Sequence, residues 1–173
     1  SEKNPADAIY VNSFFPHFLD LLSKKLNYKL IHISTDCVFD GKDGGYIETD
    51  IPNEVNTYGR SKALGEVLNS DTLTIRTGFI GPEIKMDGDG LFHWFMMQKG
   101  EIKGFSRAIW SGVTTIELSK FIHFFITRNL PYSGLFHLCN NKSISKMDLL
   151  LIFQKVFNRT DLHITNDSIY ESK

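Results

Sequence analysis

The chain has 173 residues, 42% of them hydrophobic and 13% aromatic, which suits one ordinary globular domain with a sizeable core and no low-complexity tract. A net charge of −1 and a pI near 6.6 argue against a general nucleic-acid or membrane-surface binder, which needs a basic face. The longest apolar runs, around Phe14–Leu22 and Phe121–Ile126, are broken by His or Asp and are too short to span a bilayer.

In chain order, Pro5 opens an amphipathic helix whose apolar positions Ile9, Phe14, Phe18, Leu21 and Leu22 carry it to about Lys25. Asn27 breaks it, and Tyr28–Ser34 reads as a strand buried on both faces, as parallel strands are. Asp40–Gly45 is a turn-rich loop, and Thr57–Asn69 is the second helix. Leu73–Thr77 is the next strand. After Gly81-Pro82 the pattern loosens over Met86–Gly90, followed by a helix from about Leu91 to Lys99. A short strand is expected within Ile102–Ile109. Thr114–Thr127 reads as a helix with Leu118, Phe121, Ile122 and Phe125 on one face, and Gly134–Cys139 as a strand. Ser145 caps a last helix to Phe157, with Asp148 three residues on. From Asn158 the chain looks polar and poorly anchored.

Cys37 and Cys139 have no metal spacing and are expected to be reduced and packed. Six histidines also lack metal spacing, so no metal site is expected; His32 and His137, within apolar strands, read as satisfied core residues. Phe92, Trp94, Phe95, Met96 and Met97 make an aromatic and methionine-rich helix, for which core or subunit packing is the default. The Gly-x-Gly-x-x-Gly turn of dinucleotide-binding folds, where pyrophosphate meets a helix N-terminus, is absent.

The chemistry concentrates in two stretches. Ile33-Ser34-Thr35-Asp36-Cys37-Val38-Phe39-Asp40-Gly41 follows a strand and empties hydroxyls and a carboxylate into a loop. Tyr58-Gly59-Arg60-Ser61-Lys62 sets a phenol and an ammonium four residues apart, one turn apart on one helix face. Hydroxyl, phenol and ammonium at the carboxyl end of a strand suit carbonyl reduction. A phenol becomes a usable proton donor when a nearby cation lowers its pKa, and Lys62 is expected to do so. Taken alone, Tyr-x-x-x-Lys is a weak signal that a surface helix with a snorkelling lysine also satisfies.

The context is stronger. The Ser34–Gly41 run, then Tyr46-Ile47-Glu48-Thr49-Asp50-Ile51-Pro52-Asn53, then Tyr58–Glu66, then Ile75-Arg76-Thr77-Gly78-Phe79-Ile80-Gly81 form an ordered series. From about Asn4 to Phe157 the chain closely resembles the extended short-chain dehydrogenase/reductase family, most of all its dTDP-4-dehydrorhamnose reductase branch. The resemblance implies an α/β fold: the C-terminal half of a Rossmann-type parallel sheet over 1–82, then part of a smaller substrate-binding region over 83–173. Asn4–Asn12 resembles the family's fourth helix, so the first βαβαβ half is expected to lie outside this chain, which alone should not turn over.

The resemblance implies NADP or NAD as cofactor and reduction of a 4-keto group on a nucleotide-linked deoxysugar, for cell-surface polysaccharide precursors. Tyr58 would donate the proton, Lys62 would tune it and hold the nicotinamide ribose, and Thr35 would orient the substrate carbonyl. Ile33, Tyr58 and Lys62 would touch the cofactor; Thr35, Asp36 and Phe79 would touch the substrate. Asp36 equally suits a cap for the turn that follows it. Phe79 stands where the branch typically has tryptophan, and Trp110–Leu118 replaces a Gly-Ser-Pro-Thr segment; both changes bear on specificity. An epimerase or dehydratase of the same family, and a non-catalytic member such as the regulatory subunit of methionine adenosyltransferase, are the alternatives. A cytoplasmic location, no nucleic-acid or membrane partner and a homodimer complete the expectation.

Overall fold

The computed structural model describes residues 2–85, 88, 90–128, 130, 131 and 133–169, so Met86, Asp87 and Asp89 of the loosened segment lie outside the described residues. Two compact units are present: 1–78 with 125–138, and 79–124 with 139–173.

The first unit opens on helix α1 (Pro5–Ile9), a π-helical turn (Tyr10–Phe14) and helix α2 (Phe15–Leu26). Asn4 caps α1 and Pro5 occupies its first turn, where a missing N–H costs nothing. Asn27 ends α2 in the left-handed conformation (φ 54°), which asparagine tolerates. The π turn has no signature in the apolar periodicity, which runs through it. Strands β1 (Ile31–Ile33) and β2 (Leu73–Arg76) pair in parallel, Ile31 opposite Leu73 and Ile33 opposite Ile75. Helix α3 (Thr57–Leu64) connects them and stops at Gly65, shorter than the expected run to Asn69. A later strand, β7 (Gly134–His137), adds to β2 in parallel, giving the order β1-β2-β7. Ile75 and Thr74, fully buried in β2, have the two-sided burial of a central parallel strand, whereas the burial expected of Tyr28–Ser34 does not hold: β1 is shorter and, at the edge of the sheet, only half-buried.

The second unit holds β3 (Phe79–Ile80), α4 (Leu91–Met97), β4 (Gly100–Phe105), β5 (Ile109–Trp110) and β6 (Val113–Thr114). Helix α5 (Thr115–Arg128) crosses the division between the units; β8 (Ile144–Ser145), α6 (Lys146–Val156) and β9 (Leu162–Asp167) follow β7. Ser145 caps α6 by accepting from the Asp148 N–H at 3.0 Å, as the sequence suggested. Phe95, Ile102, Leu150 and Leu162 form the core of this unit, so the aromatic helix α4 is core-packed through Phe95.

Three further expectations are corrected. The segment after Asn158 is anchored: β9 pairs with β4 in parallel from Leu162–Gly100 to Asp167–Phe105, and Leu162 is buried. Arg159 anchors its approach, donating to the carbonyls of Phe95, Met96 and Gln98 and pairing with Asp161. Both thiols, Cys37 and Cys139, are exposed, because each sits in a loop past a strand end. His32 is not satisfied: its Nε2 is buried without a hydrogen-bond partner. No helix among the described residues is long and apolar enough to cross a membrane.

Candidate active site

The site grows from the carboxyl end of β1. Ser34 extends the pairing, its N–H donating to the Ile75 carbonyl at 2.7 Å, and Thr35 turns the chain away. The buried Thr35 caps a 3₁₀ turn over Asp36–Val38, its Oγ1 accepting from the Cys37 N–H at 3.2 Å. Asp36 Oδ1 accepts from the Thr35 hydroxyl at 3.2 Å and from the Cys37 thiol at 3.6 Å. The carboxylate therefore engages the turn itself.

Helix α3 meets this turn from the other side. Asn56 caps it by accepting from the Gly59 N–H at 2.7 Å, and the Glu2 carboxylate accepts from the Thr57 N–H at 2.6 Å. Gly59 is a contact point: a Cβ there would lie 2.5 Å from the Cys37 carbonyl oxygen and would overlap Glu54. Gly65, just past the helix, would likewise meet the Asn12 carbonyl. Ser61, buried, accepts from Asn12 Nδ2 at 3.1 Å and receives the Ser13 hydroxyl on its carbonyl at 2.8 Å. The π turn thus supplies the polar groups that seat α3, in keeping with the frequent placement of π turns at functional sites.

That docking brings the predicted groups together. Lys62 Nζ donates to the Ile33 carbonyl at 2.8 Å. The same docking brings the Tyr58 phenol toward Thr35, whose influence works to lower the phenol's pKa. A threonine hydroxyl has one proton, so Thr35 gives it either to Asp36 or to the phenol oxygen.

The expected effect of Lys62 on Tyr58 is corrected. Burial pushes the Tyr58 pKa up; the Thr35 hydrogen bond opposes this, and the charges of Cys37 and Asp36 add to it. Burial pushes the Lys62 pKa down, with Glu66 opposing. The ammonium spends its hydrogen bond on a backbone carbonyl, and desolvation of the phenol dominates.

Behind these residues lies a polar network that the spacing did not single out. Glu66 and Arg76 are buried and paired twice, Nε to Oε1 and Nη2 to Oε2, each at 2.7 Å. The Ser34 hydroxyl donates to the same Oε1 at 2.8 Å. Arg76 also stands 3.3 Å from His137 Nε2 and over the Phe39 ring, 5.0 Å from its centroid. The available signal was a glutamate four residues after Lys62 and an arginine ending an otherwise uncharged buried strand. Phe79, the remaining predicted residue, belongs to the second unit, where it opens β3 and is exposed.

Comparison with known proteins agrees with this architecture. The dTDP-4-dehydrorhamnose reductase of Burkholderia thailandensis is 41% identical over 85 residues, 46% of this chain and 28% of that protein. The methionine adenosyltransferase 2 subunit beta of Danio rerio is 60% identical over 37 residues, 21% of this chain and 12% of that one. The structure of dTDP-4-dehydrorhamnose reductase from Bacillus anthracis in complex with NADP superimposes with a TM-score of 0.83 at 25% identity, covering 97% of this chain and 60% of that one. The chain therefore spans less than two thirds of the length of these relatives. The family model described as the RmlD substrate binding domain matches residues 1–168, and the chain belongs to that family.

Proposed function

We propose that the chain carries the proton-transfer residues of an NAD(P)H-dependent reductase acting on the 4-keto group of a nucleotide-linked deoxysugar. The observation that carries the reading is the meeting of Thr35, Tyr58 and Lys62 at the end of β1, through the Lys62–Ile33 bond of 2.8 Å and the Tyr58–Thr35 approach. The Tyr58 phenol is protonated at neutral pH and can donate to a carbonyl oxygen as negative charge develops there, although burial, which raises its pKa, makes it a weaker acid than a free phenol. Thr35 can redirect its single proton from Asp36 to that same oxygen. The donor set fits a nicotinamide ribose: Lys62 has three donors, one of which goes to Ile33, and two remain for ribose hydroxyls. When bound, the nicotinamide supplies hydride to the carbonyl carbon. Residues 1–82 would then serve the cofactor side and 83–173, with Phe79 at their threshold, the sugar.

A homodimer and a cytoplasmic location complete the proposal. Tyr10, Phe14 and Phe18, stacked in series and exposed, support a surface that a second copy would cover, and sedimentation velocity tests it. A second reading, a regulatory subunit without turnover, is favoured by the 60% identity over 37 residues to the Danio rerio subunit.

Tyr58→Phe in the full-length protein separates the two. It removes one oxygen, so fold and cofactor binding should survive while kcat for keto-sugar reduction drops by roughly 10²–10⁴-fold. Near-normal turnover by the variant would reject the role given to Tyr58, and absence of turnover in the wild type would favour the regulatory reading.

A further inference from the structure

Glu66 is buried, charged and not required by the proton transfer just described, yet it ties Ser34, just past β1, to Arg76, the last residue of β2. It lies four residues beyond Lys62, immediately past the end of α3. Its Oε1 receives the Ser34 hydroxyl and Arg76 Nε, and its Oε2 receives Arg76 Nη2. Ser34 stands between Ile33, whose carbonyl holds Lys62, and Thr35, which approaches Tyr58. With its N–H tied to Ile75 and its hydroxyl tied to Glu66, Ser34 has its backbone and side chain both fixed.

We propose that Glu66 is a positioning residue of this site, fixing the Ile33–Thr35 strand end through Ser34 and Arg76 and supplying the negative charge that faces the Lys62 ammonium. The proposal rests on the roles given to Tyr58 and Lys62 above. The groups around Lys62 are Tyr58 and Glu66 on its own segment, and the Ile33 carbonyl and His32 imidazole on β1. Around Arg76, on the far side of the carboxylate, are His137 on β7, the Phe39 ring and the Glu48 carboxylate, which accepts from the His137 N–H.

Burial works against the charged form of Lys62, and Glu66 works for it. Three charge-assisted or polar hydrogen bonds hold the carboxylate in one orientation, so its field on Lys62 does not average out. A protonated Lys62 keeps both its carbonyl bond and its spare donors; a neutral amine keeps fewer. Glu66 therefore raises the pH above which the site loses its cation, against the burial that lowers it.

The test is competitive acetylation of Lys62 by acetic anhydride across pH in residues 1–173, read by mass spectrometry of the Lys62 peptide. The midpoint of the labelling curve reports where Lys62 loses its proton; a change in accessibility alters the rate alone. Wild type is compared with Glu66→Gln and with Glu66→Gln/Arg76→Met, circular dichroism confirming the fold of each. If Glu66→Gln unfolds because its guanidinium is left uncompensated, the double variant carries the test, since it buries no unpaired charge. The expected result is a midpoint at lower pH in the Glu66 variants, with labelling near neutral pH severalfold faster. In the full-length protein the alkaline limb of the kcat profile should move to lower pH with it.

An unchanged midpoint in a folded variant would overturn the proposal and leave Glu66 a structural residue, even if kcat fell. A full-length wild type that does not reduce keto sugars would instead count against the reductase reading. The labelling would still decide whether Glu66 governs Lys62.

Discussion

A buried imidazole nitrogen without a partner makes β1 sensitive to pH. His32 has its pKa pushed down to about 4, by burial first and by the Lys62 charge next, with Glu66 opposing. In the unfolded chain the same imidazole titrates near 6.5. The unfolded state thus takes up a proton below that pH that the native state refuses until about 4. Native stability is fully present above 6.5 and is lost as pH falls through this window. His32→Val removes the titrating group and also an unpaired buried nitrogen. Its melting temperature should match or exceed the wild type near pH 7 and fall less between about pH 7 and pH 5. Equal slopes for the two proteins in scanning calorimetry would show that His32 is not the sensor. At this scale the sequence was legible for Tyr58 and Lys62, because helical spacing alone sets them on one face. It gave the wrong sign for the Tyr58 pKa, which was expected to fall beside Lys62, because the sign depends on how much water the fold leaves around the phenol.

How α3 is seated decides whether those side chains converge, and the seat is made of backbone. Gly59 lies against the Cys37 carbonyl and Glu54, and Gly65 against the Asn12 carbonyl. Neither backbone neighbour can swing aside as a side chain would. Gly59→Ala should therefore lift α3 off the turn that carries Thr35, despite the better helix propensity of alanine. We expect a lower melting temperature and a loss of kcat in the full-length protein larger than any change in KM, since the shift separates Tyr58 and Lys62 from Thr35 and Ile33. A variant with wild-type kcat would mean that the contact at residue 59 does not set the site.

The far end of the chain shows the opposite balance of sequence and structure. Leu162-His163-Ile164-Thr165-Asn166 alternates apolar and polar residues, a strand signal that the surrounding polar residues masked. Here Leu162 enters the core with Phe95, Ile102 and Leu150. Ending the chain at Asn158 removes β9 and the Arg159 bonds to Phe95, Met96 and Gln98. The shortened chain should expose apolar surface to a reporter dye and lose a cooperative thermal transition. If its transition matched that of 1–173, the strand would be an ornament on that unit's core. The caps at Pro5 and Ser145, by contrast, were readable because capping chemistry is local.

On the scale of the whole molecule, the parallel sheet followed from the buried strands and the helices between them. The return of β7 to the first unit did not, because the neighbour of a strand in a parallel sheet is set by long-range packing that no local pattern records. The same unit bears on cofactor affinity. Under the proposed function its candidate contacts, Ile33, Tyr58 and Lys62, would reach only the nicotinamide ribose end of a dinucleotide. Pyrophosphate binding in these folds draws on backbone N–H groups at a glycine-rich turn opening a helix. No Gly-x-Gly-x-x-Gly occurs among the 13 glycines of the chain. Among the described residues the glycines with positive φ are Gly41, Gly44, Gly45, Gly100 and Gly134; the first three share the Asp40–Gly45 loop, and none of the five opens a helix. By isothermal calorimetry, residues 1–173 should show no NADPH or NADH binding at sub-millimolar concentration. Nicotinamide mononucleotide should bind no more weakly than either, since the adenosine half would add nothing. Micromolar binding of NADPH with a clear preference over the mononucleotide would mean that this chain recognises pyrophosphate or adenosine by groups other than a glycine-rich turn. The assignment of its contacts to the ribose end would then have to be abandoned.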